Sequence, residues 1–229
     1  MKRNILVVAS HPDDEILGCA GTIARHVNEG DCVHIHIVAE GATSRSVESK
    51  GGDVENHLIS LRNSANKASQ LLGVDDLYLG DFPDNKLDTV PLLDIIKTLE
   101  KKAQDYKPTI VYTHHSGDLN IDHQIVSRAA MTAFRPQPSS SVESIYTFET
   151  VSSTEWGTDS QEKFKPTRFV DITNYLDTKR DALLCYSSEM REFPHARSIE
   201  AIEALAKFRG ASVGLNAAEA FMQIRDLVR

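Results

Sequence analysis

Residues 7–24 read VVASHPDDEILGCAGTIA, an apolar run that meets a histidine, a proline and three successive acids and then turns apolar again. A buried strand handing over to a helix in this way puts charge where desolvation is costly unless a partner of opposite sign is present. Pro12 suits the first turn of a helix, where its missing N–H would have no partner anyway. His11 and Asp14, three residues apart, then converge on one point above the strand end, with Asp13 between them and Glu15 beyond. The helix dipole favours acids at such a terminus. Capping accounts for one or two of them, not for a histidine followed by three.

Outward from this point, the apolar pattern predicts strands at 4–10, 33–39, 75–79 and 109–113, alternating with helices at 16–29, 57–73, 90–104 and 122–134. Strands separated by helices give an α/β, Rossmann-like doubly wound, mostly parallel sheet with helices on both faces, whose ligands sit beyond the carboxyl ends of the strands. After Phe134 the pattern changes. RPQPSSS is a turn-rich break, SIYTFET and RFVDIT read as strands joined by a Ser/Thr-rich loop at 151–166, and helices are expected at 174–187, 198–209 and 217–228. With no long flexible linker, the chain reads as one domain, a core at 1–134 carrying a packed α+β extension at 135–229.

The 229 residues carry a formal charge of −8 with no basic run, which argues against a nucleic-acid backbone as partner. The apolar run at 5–9 is too short for a signal peptide or a membrane span, so a cytoplasmic protein without a transmembrane segment is expected. Cys19, Cys32 and Cys185 form no CxxC pair, which suggests neither a disulfide framework nor a structural zinc site.

A second polar loop, HHSGDLNIDH at 114–123, follows the fourth predicted strand and offers His123 as a third ligand at a helix start. Two histidines and one carboxylate, with a fourth position open to water, form a catalytic rather than a structural zinc set. Asp13, beside the ligand Asp14 but not needed for coordination, suits a general base. Asp122, next to His123, suits a group that orients a ligand or a catalytic residue from behind.

His11-Pro12-Asp13-Asp14-Glu15 after a VVxS strand, joined to the Asp-x-Asn-x-Asp-His run at 118–123, resembles the LmbE-like, or PIG-L, family of zinc-dependent de-N-acetylases. The resemblance implies removal of acetyl groups from N-acetylglucosamine-type sugars, with His11, Asp14 and His123 on zinc and Asp13 as the base. It also implies substrate contacts from Arg62, in LRNSANKA, and Asp84, in PDNKLD. Many members carry a histidine where this chain has Asn120, which can donate a hydrogen bond to an oxyanion but cannot give up a proton. The proton for the leaving amine would then come from Asp13, or from His114 or His115 on the substrate side of the same loop. Fe²⁺ or Mn²⁺ could replace Zn²⁺ on this donor set. The implied partner is a small-molecule amino sugar, and association into a homo-oligomer, common in the family, is left open.

Other features have plainer readings. His34 and His36 share a strand face but lie away from its carboxyl end, with no further ligands in view, and read as structural. Gly18 and Gly21, in GCAG, lie inside a helix after three acids and suit close packing on the sheet rather than a phosphate loop. Glu155 and Trp156 either border the cleft or pack in their loop. Arg191, His195 and Arg197 line either a pocket or a subunit contact. Two rival functions follow: a metal amidase acting on a non-sugar acylated amine, and a nucleotide-binding module without catalysis.

Overall fold

The computed structural model describes residues 2–42, 51–158 and 162–228. Residues 159–161 of the Ser/Thr-rich loop therefore lie outside the described part. Seven strands form one mixed sheet in the order β3-β2-β1-β4-β5-β7-β6. They are β1 Asn4–Ala9, β2 Cys32–Ala39, β3 Asp76–Phe82, β4 Ile110–His114, β5 Ser144–Phe148, β6 Arg168–Asp171 and β7 Ala218–Asp226. The first five run parallel, whereas β7 is antiparallel to both β5 and β6. Among the described residues there are six α-helices: α1 Asp14–Asn28, α2 Gly51–Leu72, α3 Leu92–Tyr106, α4 Ile121–Ala133, α5 Leu176–Cys185 and α6 Ile199–Ala211.

The central strand β1 accounts for the layering. Ile5, Val7 and Ala9 point into a core with Ile16, Ala20 and Ile23 of α1 and Leu61 and Ala65 of α2. Leu6 and Val8 point the other way, onto Ile95 and Leu99 of α3 and Val126 and Ala130 of α4. Both faces are thus covered, which is why the strand is apolar at every position from Ile5 to Ala9 rather than at alternate ones. The chain builds outward from β1 through β2 to β3 and then crosses to β4 on the other side of β1. That crossing is a topological switch point, and the two loops rich in ligating residues flank it at the carboxyl ends of β1 and β4.

One element differs from the sequence reading. The predicted helix at 217–228 is strand β7, inserted between β5 and β6. Ala, Glu, Met and Gln there are good helix formers, but intrinsic preference is a weak force against tertiary context. β5 would otherwise present an unpaired edge, and β7 closes it, with Phe221 opposite Phe148 and Arg168. The glycine reading holds: a Cβ on Gly18 would overlap the Phe148 ring, and one on Gly21 would lie 2.7 Å from Ile172.

His34 and His36 are structural. His34 stacks on Tyr106 with ring centroids 4.1 Å apart, and His36 meets Tyr78 edge-on at 4.6 Å. Burial, reinforced by the charge of Lys102, lowers the His36 pKa from 6.5 to about 3. The unfolded chain therefore takes up a proton near pH 6.5 that the folded chain refuses until about 3, so this contribution is complete above 6.5 and is lost as pH falls through that window. His36→Phe keeps the ring contact and removes the titration. Urea midpoints at pH 7 and pH 5 are expected to differ less in the variant than in wild type, where the loss approaches about 1.4 kcal/mol per pH unit.

Candidate active site

The loops after β1 and β4 meet at the switch point. His11 Nδ1 and His123 Nε2 each lie 3.2 Å from Oδ2 of Asp14. The other oxygen of Asp14 is buried without a hydrogen-bond partner. Ligands at about 2.0 Å in a tetrahedral zinc site lie about 3.3 Å from one another. The spacing and the orphaned oxygen both suit a divalent cation among His11, Asp14 and His123, a set whose ligating atoms all fall within 4.8 Å of each other.

A carboxylate lies behind each imidazole. His11 Nε2 donates to Oδ2 of Asp122 at 2.9 Å, while Oδ1 of that acid accepts the Leu87 N–H at 3.0 Å. His123 Nδ1 lies 3.2 Å from Asp118, which also accepts the Ser153 hydroxyl and the Thr154 hydroxyl. Such carboxylate–histidine pairs fix the tautomer and ring orientation of metal-binding histidines. Asp122 therefore serves the distant His11 rather than its neighbour His123. Asp118 lies in the matching place behind His123, at ion-pair distance rather than in a hydrogen bond, a position the sequence reading did not assign to it.

The electrostatics favour added positive charge. Burial opposes protonation of His11, but Asp122, Asp14 and Asp84 overcome it and raise the pKa to about 10. His123 is likewise raised to about 9, burial being outweighed chiefly by Asp14 and Asp118. Asp118 is driven down to about 2 because His123 and the two hydroxyls outweigh its burial.

Asp13 adopts φ 114°, in a region that L-residues other than Asn and Asp rarely enter, at the entrance to α1. Its N–H donates to Glu15 Oε2 at 3.0 Å, and Glu15 in turn accepts the Tyr186 hydroxyl at 2.6 Å. The strained backbone is thus braced by a buried acid two residues on. The Asp13 carboxylate is paired at 2.6 Å with Arg197, whose Nε donates to Ser152 Oγ at 2.7 Å. Burial pushes Asp13 up and Arg197 pulls it down, with Asp14 raising it again, to about 7. Arg197 is therefore a pocket residue, which resolves the choice left open for it.

These groups line a polar cleft of about 150 Å³ that also includes Asp84, Asn85, Asn120, Ser152, Ser153 and Glu189. Asp84 lies 3.2 Å from His11 Nε2. Asn120 caps α4 by accepting the Asp122 N–H at 2.8 Å, while its Nδ2 donates to Asn85 at 3.1 Å. Five other candidates lie apart from the cleft lining. Arg62 is exposed on α2. His115 turns away, donating to the Glu162 carbonyl at 2.7 Å. Fully buried His114 accepts the Ser10 N–H at 2.8 Å through Nε2, so it is neutral and carries no proton toward the cleft. Trp156 is exposed, and Glu155 accepts the Ser152 N–H within its own loop.

The sequence model of the PIG-L family, GlcNAc-PI de-N-acetylase, matches residues 6–134, more than half of the chain. This chain belongs to the PIG-L family. Its relatives include a protein of Escherichia coli K12 named as the uncharacterized deacetylase YaiS, 30% identical over 142 residues, covering 60% of this chain and 71% of that one. They also include 4-oxalmesaconate hydratase of Pseudomonas putida, 26% identical over 205 residues, covering 82% and 74%. Among solved structures, the N,N'-diacetylchitobiose deacetylase of Pyrococcus horikoshii superposes with TM-score 0.78 over 96% of this chain and 83% of that one, at 20% identity. The PIG-L fold thus carries deacetylases of N-acetylglucosamine-type substrates, and this chain has its mixed sheet and helices on both sides. Among the described residues no helix is long and apolar enough to cross a membrane.

Proposed function

We propose that this PIG-L protein hydrolyses the acetamide of an N-acetylglucosamine-type sugar or conjugate, using a divalent cation, zinc by its donor set, held by His11, Asp14 and His123. The observation carrying this reading is the approach of two cleft-lining imidazole nitrogens to one buried, half-unpartnered carboxylate. When bound, the cation supplies Lewis acidity for the amide carbonyl and for water.

The chain's own groups do the rest. Asp13, with a pKa near neutrality, takes a proton from water and returns it to the leaving amine. That return matters because His114 and His115 do not reach the cleft and Asn120 cannot protonate. The Nδ2 of Asn120 is placed to donate to the developing oxyanion on exchanging its Asn85 partner for substrate. Asp84, Asn85 and Glu189 offer acceptors and one amide for sugar hydroxyls, and the acidic lining disfavours anionic substrates.

Arg197 keeps the Asp13 carboxylate directed and charge-compensated. A charge-assisted bond is worth about 1.5–3 kcal/mol, so Arg197→Met should lower kcat by roughly 10–100-fold. Arg197→Lys should recover part of the loss. Steady-state kinetics on both variants check this, and an unchanged kcat in the methionine variant would remove Arg197 from the account.

The function is tested by elemental analysis of the purified protein together with acetate release from a panel of N-acetyl sugars. Stoichiometric zinc with acetate release supports it, and a metal-loaded protein inert toward every sugar counts against the substrate class. The likeness to a hydratase favours hydration as the second reading. It is tested by offering the same metal-loaded protein 4-oxalmesaconate.

A further inference from the structure

Helix α1 is broken. Cys19, at φ −148° and ψ 20°, separates a first turn that begins at Asp14 from the longer segment behind it. A break of this kind orphans backbone groups on both sides: carbonyls at the end of the first piece and N–H groups at the start of the second. Two buried, oppositely charged side chains from distant elements take them up.

Lys179 of α5 donates from Nζ to the Leu17 carbonyl at 2.8 Å. Glu219 of β7 accepts the Gly21 N–H at 3.0 Å and the Thr22 N–H at 2.7 Å through its two oxygens. The pair closes on itself, Lys179 Nζ to Glu219 Oε1, at 2.6 Å, with side-chain exposures of 4% and 5%. A cation thus sits at the carboxyl end of one helical piece and an anion at the amino end of the next, each where the local dipole favours it.

The link to the cleft is short. Leu17 N donates to the Asp13 carbonyl at 2.9 Å, so the residue whose carbonyl Lys179 holds is itself bonded to Asp13. One turn of helix carries Asp13, Asp14 and Glu15, and the ion pair fixes the far end of that turn.

We propose that Lys179 and Glu219 are positioning residues for the metal centre, setting the placement of the α1 first turn and hence of Asp14. This rests on the reading of His11, Asp14 and His123 as the cation ligands. A replaceable structural pair would predict otherwise, because a buried ion pair neutralised on both sides often costs little stability.

The test loads wild type, Glu219→Gln and the double variant Lys179→Met/Glu219→Gln with cobalt(II), and reads binding by titration and site geometry by the visible absorption spectrum. Leu99→Ala, in the core on the opposite face of the sheet from that of α1, serves as a destabilised control. The double variant avoids a stranded buried charge should the single one fold poorly. The expected result is a folded double variant that binds cobalt about 10-fold or more weakly with an altered spectrum, while Leu99→Ala binds as wild type does. On an N-acetylated sugar substrate kcat should fall with KM within about twofold, because the effect acts on the reacting centre. Wild-type affinity and spectrum in the double variant would overturn the proposal. Absence of cobalt binding by wild type would instead overturn the ligand assignment on which it rests.

Discussion

Asp13→Asn is expected to lower kcat by about 10² to 10⁴ while the protein retains its full complement of metal, since general acid–base assistance is typically worth that much. Asparagine is the informative replacement. The backbone at φ 114° tolerates Asn nearly as well as Asp, whereas Ala would add strain to the loss of the carboxylate. Asn still accepts from Arg197 but takes no proton, so the variant separates proton transfer from the pairing that holds the side chain. Activity is measured by acetate release and metal by elemental analysis. A variant with near wild-type turnover would remove Asp13 from the chemistry.

His11→Ala should have the opposite profile, losing metal and activity together. Replacing an outer partner of a ligating histidine costs about 10–100-fold in affinity, so deleting the ligand itself should cost more than about 100-fold, with Asp122→Asn and Asp118→Asn falling within the lower range. Because neighbouring carboxylates raise His11 to about 10 and His123 to about 9, cation binding must displace protons from the ring nitrogens. Affinity should therefore weaken as pH falls. Isothermal titration in buffers of different ionisation enthalpy reads both the affinity and the proton release, and a His11→Ala protein with undiminished zinc affinity would contradict the assignment.

The sequence made the core legible for a physical reason. β1 is apolar from Ile5 to Ala9 because both of its faces are covered, and the acids that follow it are too many for a helix cap, so the strand, the helix and two of the three candidate ligands were readable from residues 7–24. The second loop was readable because its histidine follows a strand of the same parallel set. β7 was not, since its alanines, Glu219 and Met222 favour a helix locally and only the unpaired edge of β5 decides the matter. Arg197 and Glu189 come from the distal segment and reach the cleft only through folding, so no local spacing announces them. Arg62, His114 and His115 lie close in sequence to cleft-lining positions, but helix phase and alternation along a strand turn them outward or into the core.

The most direct test of the central claim is anomalous diffraction at the zinc edge from crystals of the zinc-loaded protein. The account predicts one strong peak within about 2.0–2.2 Å of His11 Nδ1, His123 Nε2 and a carboxylate oxygen of Asp14. A fully active, zinc-loaded protein whose peak lies away from these three atoms would contradict it.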